Sequence, residues 1–195
     1  METMIRKMTA IAIIGFIAFA FQHVNAQTYQ SSAAKVTIKG TSTLHDWDMT
    51  SSSGAVKATF TVSNDQVTDI NALSFNVSAE SLKSSKSGLD KNAYKALKTG
   101  THKQITFTMT SGKVTPGSGG NFKVSVTGNL TIAGTAKATT IQGTGVYNPA
   151  DKSISVKGST RFNMTEYKVT PPTVMMGTIK TGDSITIDYN VKLTP

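Results

Sequence analysis

The sequence predicts an all-β fold, an antiparallel barrel or sandwich of about eight strands with one short helix. Three observations predict it. Apolar residues recur with period two along most of the chain from Lys35 onward, the spacing of strands with one buried face. Turn signals interrupt these runs at Ser63-Asn64-Asp65, Pro116-Gly117-Ser118-Gly119-Gly120, Ala133-Gly134-Thr135, Asn148-Pro149-Ala150-Asp151 and Thr181-Gly182-Asp183, and connections this short favour antiparallel neighbours. A single segment, by contrast, carries helical spacing.

The chain begins with a short positive region, Met1 to Lys7, followed by an apolar run from Met8 to Phe21 and then Val24-Asn25-Ala26. This is the pattern of an export signal cleaved before Gln27, and the run is shorter than the roughly 20 residues that a membrane-spanning helix needs. Residues 1–26 are therefore expected to be removed. The remaining 195 − 26 = 169 residues suit one domain, residues 27–195, placed in a bacterial periplasm or outside the cell.

Within that domain, Leu73, Phe75 and Val77 form a short alternating run, and Ile105, Phe107 and Met109 another. Between them Leu89, Ala93, Tyr94 and Leu97 share one face at helical spacing, which predicts a helix over 88–98 capping the sheet. The longest alternations are Phe122, Val124, Val126, Gly128, Leu130, Ile132; then Ile154, Val156, Gly158, Thr160, Phe162, Met164; then Ile185, Ile187, Tyr189, Val191, Leu193. An outer-membrane barrel alternates in the same way with its apolar face toward lipid. Only 7% of residues are aromatic, and they sit on the apolar face rather than in interfacial girdles, so that face is expected to point inward.

Composition excludes several classes of function. The chain has no cysteine, which rules out disulfides, thiolate metal sites, a cysteine nucleophile and a lipid-modified cysteine anchor. Its net charge of +9 is carried mostly by single lysines between serines and threonines, and Arg161 is the only arginine beyond the signal. That is a solvated surface, not a nucleic-acid patch, which would cluster Lys and Arg with aromatics. The densest basic stretch, Lys83 to Lys103, is where transient attraction to an anionic membrane surface would act. Only His45 and His102 lie beyond the signal, which disfavours zinc, and neither a Gly-x-Ser-x-Gly nucleophile motif nor a phosphate-cradling glycine loop is present. No cofactor is expected.

His45-Asp46-Trp47 is the one place where a histidine, a carboxylate and an aromatic residue cluster. Adjacent strand residues point to opposite faces, so His45 and Asp46 form no dyad by sequence. The reading is structural: Trp47 plugs the barrel with His45 hydrogen-bonded nearby. An enzyme would require His45, Asp46 and Glu166 to converge beside a pocket, and a non-enzymatic protein is expected.

Three segments resemble the YceI-like family of exported bacterial proteins. They are Gly40-Thr41-Ser42-Thr43-Leu44-His45-Asp46-Trp47; Gly128-Asn129-Leu130-Thr131-Ile132-Ala133-Gly134-Thr135-Ala136-Lys137; and Phe162-Asn163-Met164-Thr165-Glu166-Tyr167-Lys168-Val169-Thr170-Pro171-Pro172-Thr173, continuing through Gly177 to Asp183. The chain departs from the family at Thr101-His102-Lys103-Gln104, where many members carry an aromatic-proline step. The resemblance implies a single lipocalin-like antiparallel barrel holding an isoprenoid lipid, a polyprenyl chain or quinone tail, that the protein sequesters or transports. The alternation then nominates Phe75, Val77, Phe107, Met109, Val124, Val126, Phe162, Met164, Ile187 and Tyr189 as lining, with Met175 and Met176 at the mouth or closing the end. Periodicity alone leaves open a dry core filled by these same residues, in a structural or protein-interaction barrel of the cell envelope. A homodimer stays open as well.

Overall fold

The computed structural model describes residues 25–195, so the apolar run of the expected signal lies outside the described residues. Nine strands follow in order: β1 (Asn25–Ser42), β2 (Trp47–Ser63), β3 (Gln66–Ser78), then the helix α1 (Ser87–Leu97), then β4 (Gln104–Pro116), β5 (Asn121–Ile132), β6 (Thr135–Asn148), β7 (Ser153–Asn163), β8 (Thr173–Val174) and β9 (Ile179–Leu193). Strands β1 to β7 pair with their neighbours in sequence, β7 pairs with β9, and β9 pairs back onto β1. Among the described residues eight long antiparallel strands thus close into a barrel in which each pairs with a neighbour on both sides, and the two-residue β8 only forms a hairpin with the start of β9.

Turn chemistry sets the registers. Asn64 and Asp65 both take positive φ between β2 and β3, and Ala133 and Gly134 do so between β5 and β6. Two left-handed central residues make the hairpin twist that continues the right-handed twist of the strands. Bulges then bend the wall. Tyr29 and Ala34 are both buried although an odd number of residues apart, because the β1–β2 register shifts between Ser31 and Ala34. A shift between Met109 and Ser111 likewise changes the phase of β4.

One expected turn does not exist. Thr181-Gly182-Asp183 lies within continuous β9, where a Cβ on Gly182 would fall 2.5 Å from Thr41 Oγ1. Glycine there lets the strand pass close to β1 instead of reversing the chain. Helix α1 spans Ser87–Leu97, close to the expected 88–98, and Lys98 ends it in the left-handed conformation.

The two ends of the barrel differ. Tyr29, Phe60 and Phe122 stack edge-on across one end, with ring centroids 5.9 and 6.2 Å apart, and with Val67, Ile154 and Leu193 they form a floor of fully buried side chains. At the other end lie the β1–β2 connection, α1 and the segment between β7 and β9, including a 3-10 turn over Met164–Tyr167. No residue of α1 is fully buried. The helix is laid across an opening and is not embedded in a core.

Candidate functional site

Above the floor the barrel is hollow. A cavity of about 460 Å³ runs from the floor to the end carrying α1. The interior is therefore not filled by its own side chains. Many inward-facing apolar residues, Val56, Phe75, Val124, Val156 and Ile187 among them, are only half-buried because they face this space.

Glycines on one strand receive the rings of the next and keep those rings flat against the wall. Phe107 covers Gly128, where an added Cβ would lie 2.7 Å from Cζ, and Phe122 covers Gly145, where the distance would be 2.2 Å. Tyr189 on β9 lies over Gly158 on β7 and donates its hydroxyl to the Gln142 carbonyl oxygen on β6, tying three strands together. Burial pushes this phenol up to about 12, so the group is neutral at physiological pH.

Among the described residues, the only charged side chain on the cavity lining is Lys86, at the start of α1, and the only histidine is His45 in the β1–β2 connection; both are exposed at the mouth. Below them the wall offers no ion and few hydrogen-bonding groups. The rim is held by polar contacts. Ser84 donates its hydroxyl and its N–H to Asp90 Oδ1 at 2.7 and 2.8 Å, which holds that carboxyl below its ordinary range. Tyr94 donates to the Leu82 and Glu80 carbonyl oxygens at 2.7 and 3.0 Å, pinning α1 to the chain before it. On the far side Lys137 bonds Glu166 at 2.7 Å and lowers its pKa, while the Asn163 N–H donates to the same carboxylate.

Of the residues nominated from sequence, Phe75, Val77, Phe107, Val124, Val126, Phe162, Met164, Ile187 and Tyr189 line the cavity. Met109 does not. It precedes the β4 bulge and packs with Gly112, half-buried against the core and off the cavity wall. Met175 and Met176 are also off the wall: both have φ of 52°, in the tight β8–β9 turn, and their side chains stand in solvent at the mouth. Trp47 sits at the mouth, packed over Gly40 with its Nε1–H donated to the Thr41 carbonyl, while the plug is the aromatic floor at the opposite end. His45 Nδ1 lies 2.7 Å from the neighbouring Asp46 carbonyl oxygen, and Glu166 is occupied by Lys137. Among the described residues no group of three His, Asp or Glu side chains is placed to hold a metal.

Sequence reasoning missed several parts of the lining, β1 and β2 among them, whose Val36, Ile38, Met49 and Val56 face the chamber. Leu89, Ala93, Ala96 and Leu97 of α1 roof the cavity; their helical spacing was visible, but not that the helix lies over an opening. Ile141 and Gly143 of β6 also line it. The readable signal there was glycine at alternate positions, Gly143 and Gly145, opposite the large residues of β5.

A closed antiparallel barrel around an apolar chamber open at one end defines a lipocalin-like small-ligand container. The chain belongs to the family of the YceI-like domain, whose family model matches residues 17–193. Similar solved structures include BcnA from Burkholderia cenocepacia, with a TM-score of 0.64 and 17% identity, covering 83% of this chain and 96% of that one. A polyisoprenoid binding domain from Saccharophagus degradans implicated in plant cell wall breakdown has a TM-score of 0.60 and 11% identity, covering 87% and 99%. A YCEI protein from Campylobacter jejuni has a TM-score of 0.52 and 18% identity, covering 64% and 72%. At these identities the likeness is one of fold. No curated protein sequence matches the chain.

Proposed function

We propose that this protein is an exported carrier that holds the chain of a polyisoprenoid lipid, a polyprenyl or an isoprenoid quinone, inside its barrel. The observation that carries the reading is the chamber itself: about 460 Å³, apolar over most of its depth, with its one charged lining side chain among the described residues, Lys86, at the mouth. A cavity left empty forgoes packing at about 24 cal/mol per Å³, so a chamber of 460 Å³ forgoes on the order of 11 kcal/mol. That is comparable to the whole folding stability of an ordinary domain, about 5–15 kcal/mol. A dry structural barrel gains nothing from such a void, whereas a ligand with matching apolar surface recovers the lost contacts.

An isoprenoid chain fits because it asks for no hydrogen bonds. Each five-carbon unit removed from water contributes about 4 kcal/mol at ~0.8 kcal/mol per buried carbon, so a few units approach the limit of non-covalent affinity, near −18 to −21 kcal/mol. Discrimination then rests on chain length and cross-section. The Saccharophagus degradans domain of the same fold, named for polyisoprenoid binding, supports the choice of ligand class. The signal-like Met1–Ala26 segment supports a periplasmic or secreted location.

The test is extraction. Protein purified from its source organism and extracted with organic solvent is expected to release an isoprenoid lipid detectable by mass spectrometry, and emptied protein to take up an added polyprenol. Repeated recovery of no lipid together with no uptake would overturn the reading. Fractionation of the producing cell, with the N-terminus read by mass spectrometry, tests export: a chain starting at Gln27 outside the cytoplasm is expected.

A further inference from the structure

Large hydrophobic side chains are exposed at few places on the described surface, and three of them, Leu44 (64%), Met175 (72%) and Met176 (fully exposed), stand together at the mouth. Their two loops are joined. The Thr43 N–H donates to the Lys180 carbonyl at 3.0 Å, and the Lys180 N–H to Thr43 Oγ1 at 3.1 Å. Each tip is held outward by its own backbone. Ser42 Oγ accepts from the N–H groups of Leu44 and His45, and the turn at the β8–β9 hairpin places Met175 and Met176 in the left-handed region. The residues flanking each tip, His45 on one loop and Val174 and Ile179 on the other, line the chamber, so the exposed apolar cluster is continuous with its opening.

Charge is polarised toward the same end. The connections at the mouth, residues 43–46, 79–103, 133–134 and 164–178, contain seven lysines, all exposed, and four carboxylates. The connections at the floor, residues 64–65, 117–120 and 149–152, contain one lysine and two carboxylates. A protruding apolar tip ringed by lysines is complementary to an anionic bilayer, which takes apolar side chains below its headgroups and attracts the cations around them.

We propose that the mouth of the barrel is a membrane-docking surface: Leu44, Met175 and Met176 insert into the surface of an anionic bilayer, the lysines of α1 and its flanks lie against the headgroups, and the chamber opens directly into lipid. The purpose rests on the carrier reading above. A chain bound by apolar burial alone leaves for water too slowly to be delivered, so loading and release need an apolar acceptor at the opening, and docking supplies one.

The test uses vesicles free of isoprenoid, so that docking is measured apart from cargo. Purified protein, wild type and variants sharing one N-terminus by intact mass, is sedimented with phosphatidylcholine vesicles or with vesicles containing phosphatidylglycerol. Binding to the anionic vesicles is expected to be at least tenfold tighter and to weaken with salt. Leu44→Asp/Met175→Asp/Met176→Asp is expected to abolish it while leaving the melting temperature unchanged, and Met175→Asp/Met176→Asp, neither of which lines the chamber, is expected to weaken it with the uptake of a polyprenol delivered from detergent unchanged. Lys91→Ala and Lys95→Ala, on the exposed face of α1, are each expected to weaken it about fivefold. Equal binding to both vesicle types, no binding, or binding unaffected by the triple substitution overturns the proposal. So does a concentration-dependent dimer abolished by the triple substitution without vesicle binding, which would assign the tip to a second copy of the chain. Failure of detergent-delivered uptake would instead count against the carrier reading.

Discussion

Val126→Glu places a carboxyl on the chamber wall and moves a predictable amount of free energy. Val126 is 4% exposed on β5, paired with Ile141 of β6 on one side and Gly112 of β4 on the other. Among the described residues no cation lines this part of the wall, the only charged lining residue being Lys86 at the mouth. Losing the valine contributes about 1.5–2 kcal/mol. The carboxyl, with an ordinary pKa of about 4.3, must stay protonated at pH 7 in a loaded chamber, which costs about 1.36 × 2.7 ≈ 4 kcal/mol. If water enters the empty chamber and solvates the group, that cost falls on ligand binding, a loss of about a thousandfold. The sign with pH follows. The loaded state has the higher carboxyl pKa, so the loss is full above that value and disappears as the pH falls below the pKa of the empty state. Titrating a fluorescent polyprenol analogue between pH 4 and 8, beside urea unfolding of the same protein, measures both terms. Affinity is expected to recover toward wild type near pH 4, and Val126→Gln to show no such recovery. Wild-type affinity at pH 7, or an equal loss in the outward-facing Lys123→Ala, would refute the reasoning.

Val67→Ala removes a fully buried floor residue that does not line the chamber, and is expected to lower stability by about 2 kcal/mol in urea unfolding without changing polyprenol affinity. Gly158→Ala puts a Cβ 2.2 Å from the Tyr189 hydroxyl and 2.4 Å from the Gln142 carbonyl oxygen, so a loss of about 1–3 kcal/mol is expected by the same measurement. Tyr189→Phe leaves that carbonyl without its donor and is expected to cost about 1 kcal/mol. Because the Tyr189 phenol titrates near 12 when folded and near 10 when unfolded, its contribution to stability is constant below pH 10 and is lost between pH 10 and 12; ultraviolet absorbance against pH, compared in Tyr189→Phe, checks this.

Strands β5, β7 and β9 were legible because their alternation runs unbroken through inward residues, and most of the nominated residues that face the cavity lie on them. Strand β6 was opaque as an alternation because its inward positions include Gly143 and Gly145, left empty so that neighbours such as Phe122 can lie over them; the information sits in pairs of strands, not in either alone. The bulges in β1 and β4 are equally invisible to period two: the inward positions of β4 run through Phe107 and then, past the shift, through Gly112 and Val114. Met175 and Met176 looked like lining by hydrophobicity, but the turn that joins β8 to β9 requires left-handed residues there, and backbone geometry turned the side chains outward. Hydrophobicity placed these residues at the opening, and the backbone decides that they face outward from it.

The division between floor and mouth explains how a barrel with a large void can remain folded. Tyr29, Phe60, Ile154 and Leu193 are essentially free of solvent at the floor, and the sheet closes through the pairing of Lys35–Gly40 of β1 with β9, so the structure does not depend on side chains meeting in the middle. The wall can then stay half-covered, its exposed apolar area available to a ligand. At the mouth no residue of α1 is fully buried, and the helix is tied to the rim by the hydrogen bonds of Tyr94 to Leu82 and Glu80 and of Ser84 to Asp90. Regions with few buried contacts open at the lowest free energy. Opening at α1 would therefore leave the floor intact, and hydrogen exchange should be fastest in residues 84–97, slowest around Phe60 and Leu193, and slowed at α1 when the chamber is loaded. Uniform protection along the chain would contradict this division of labour.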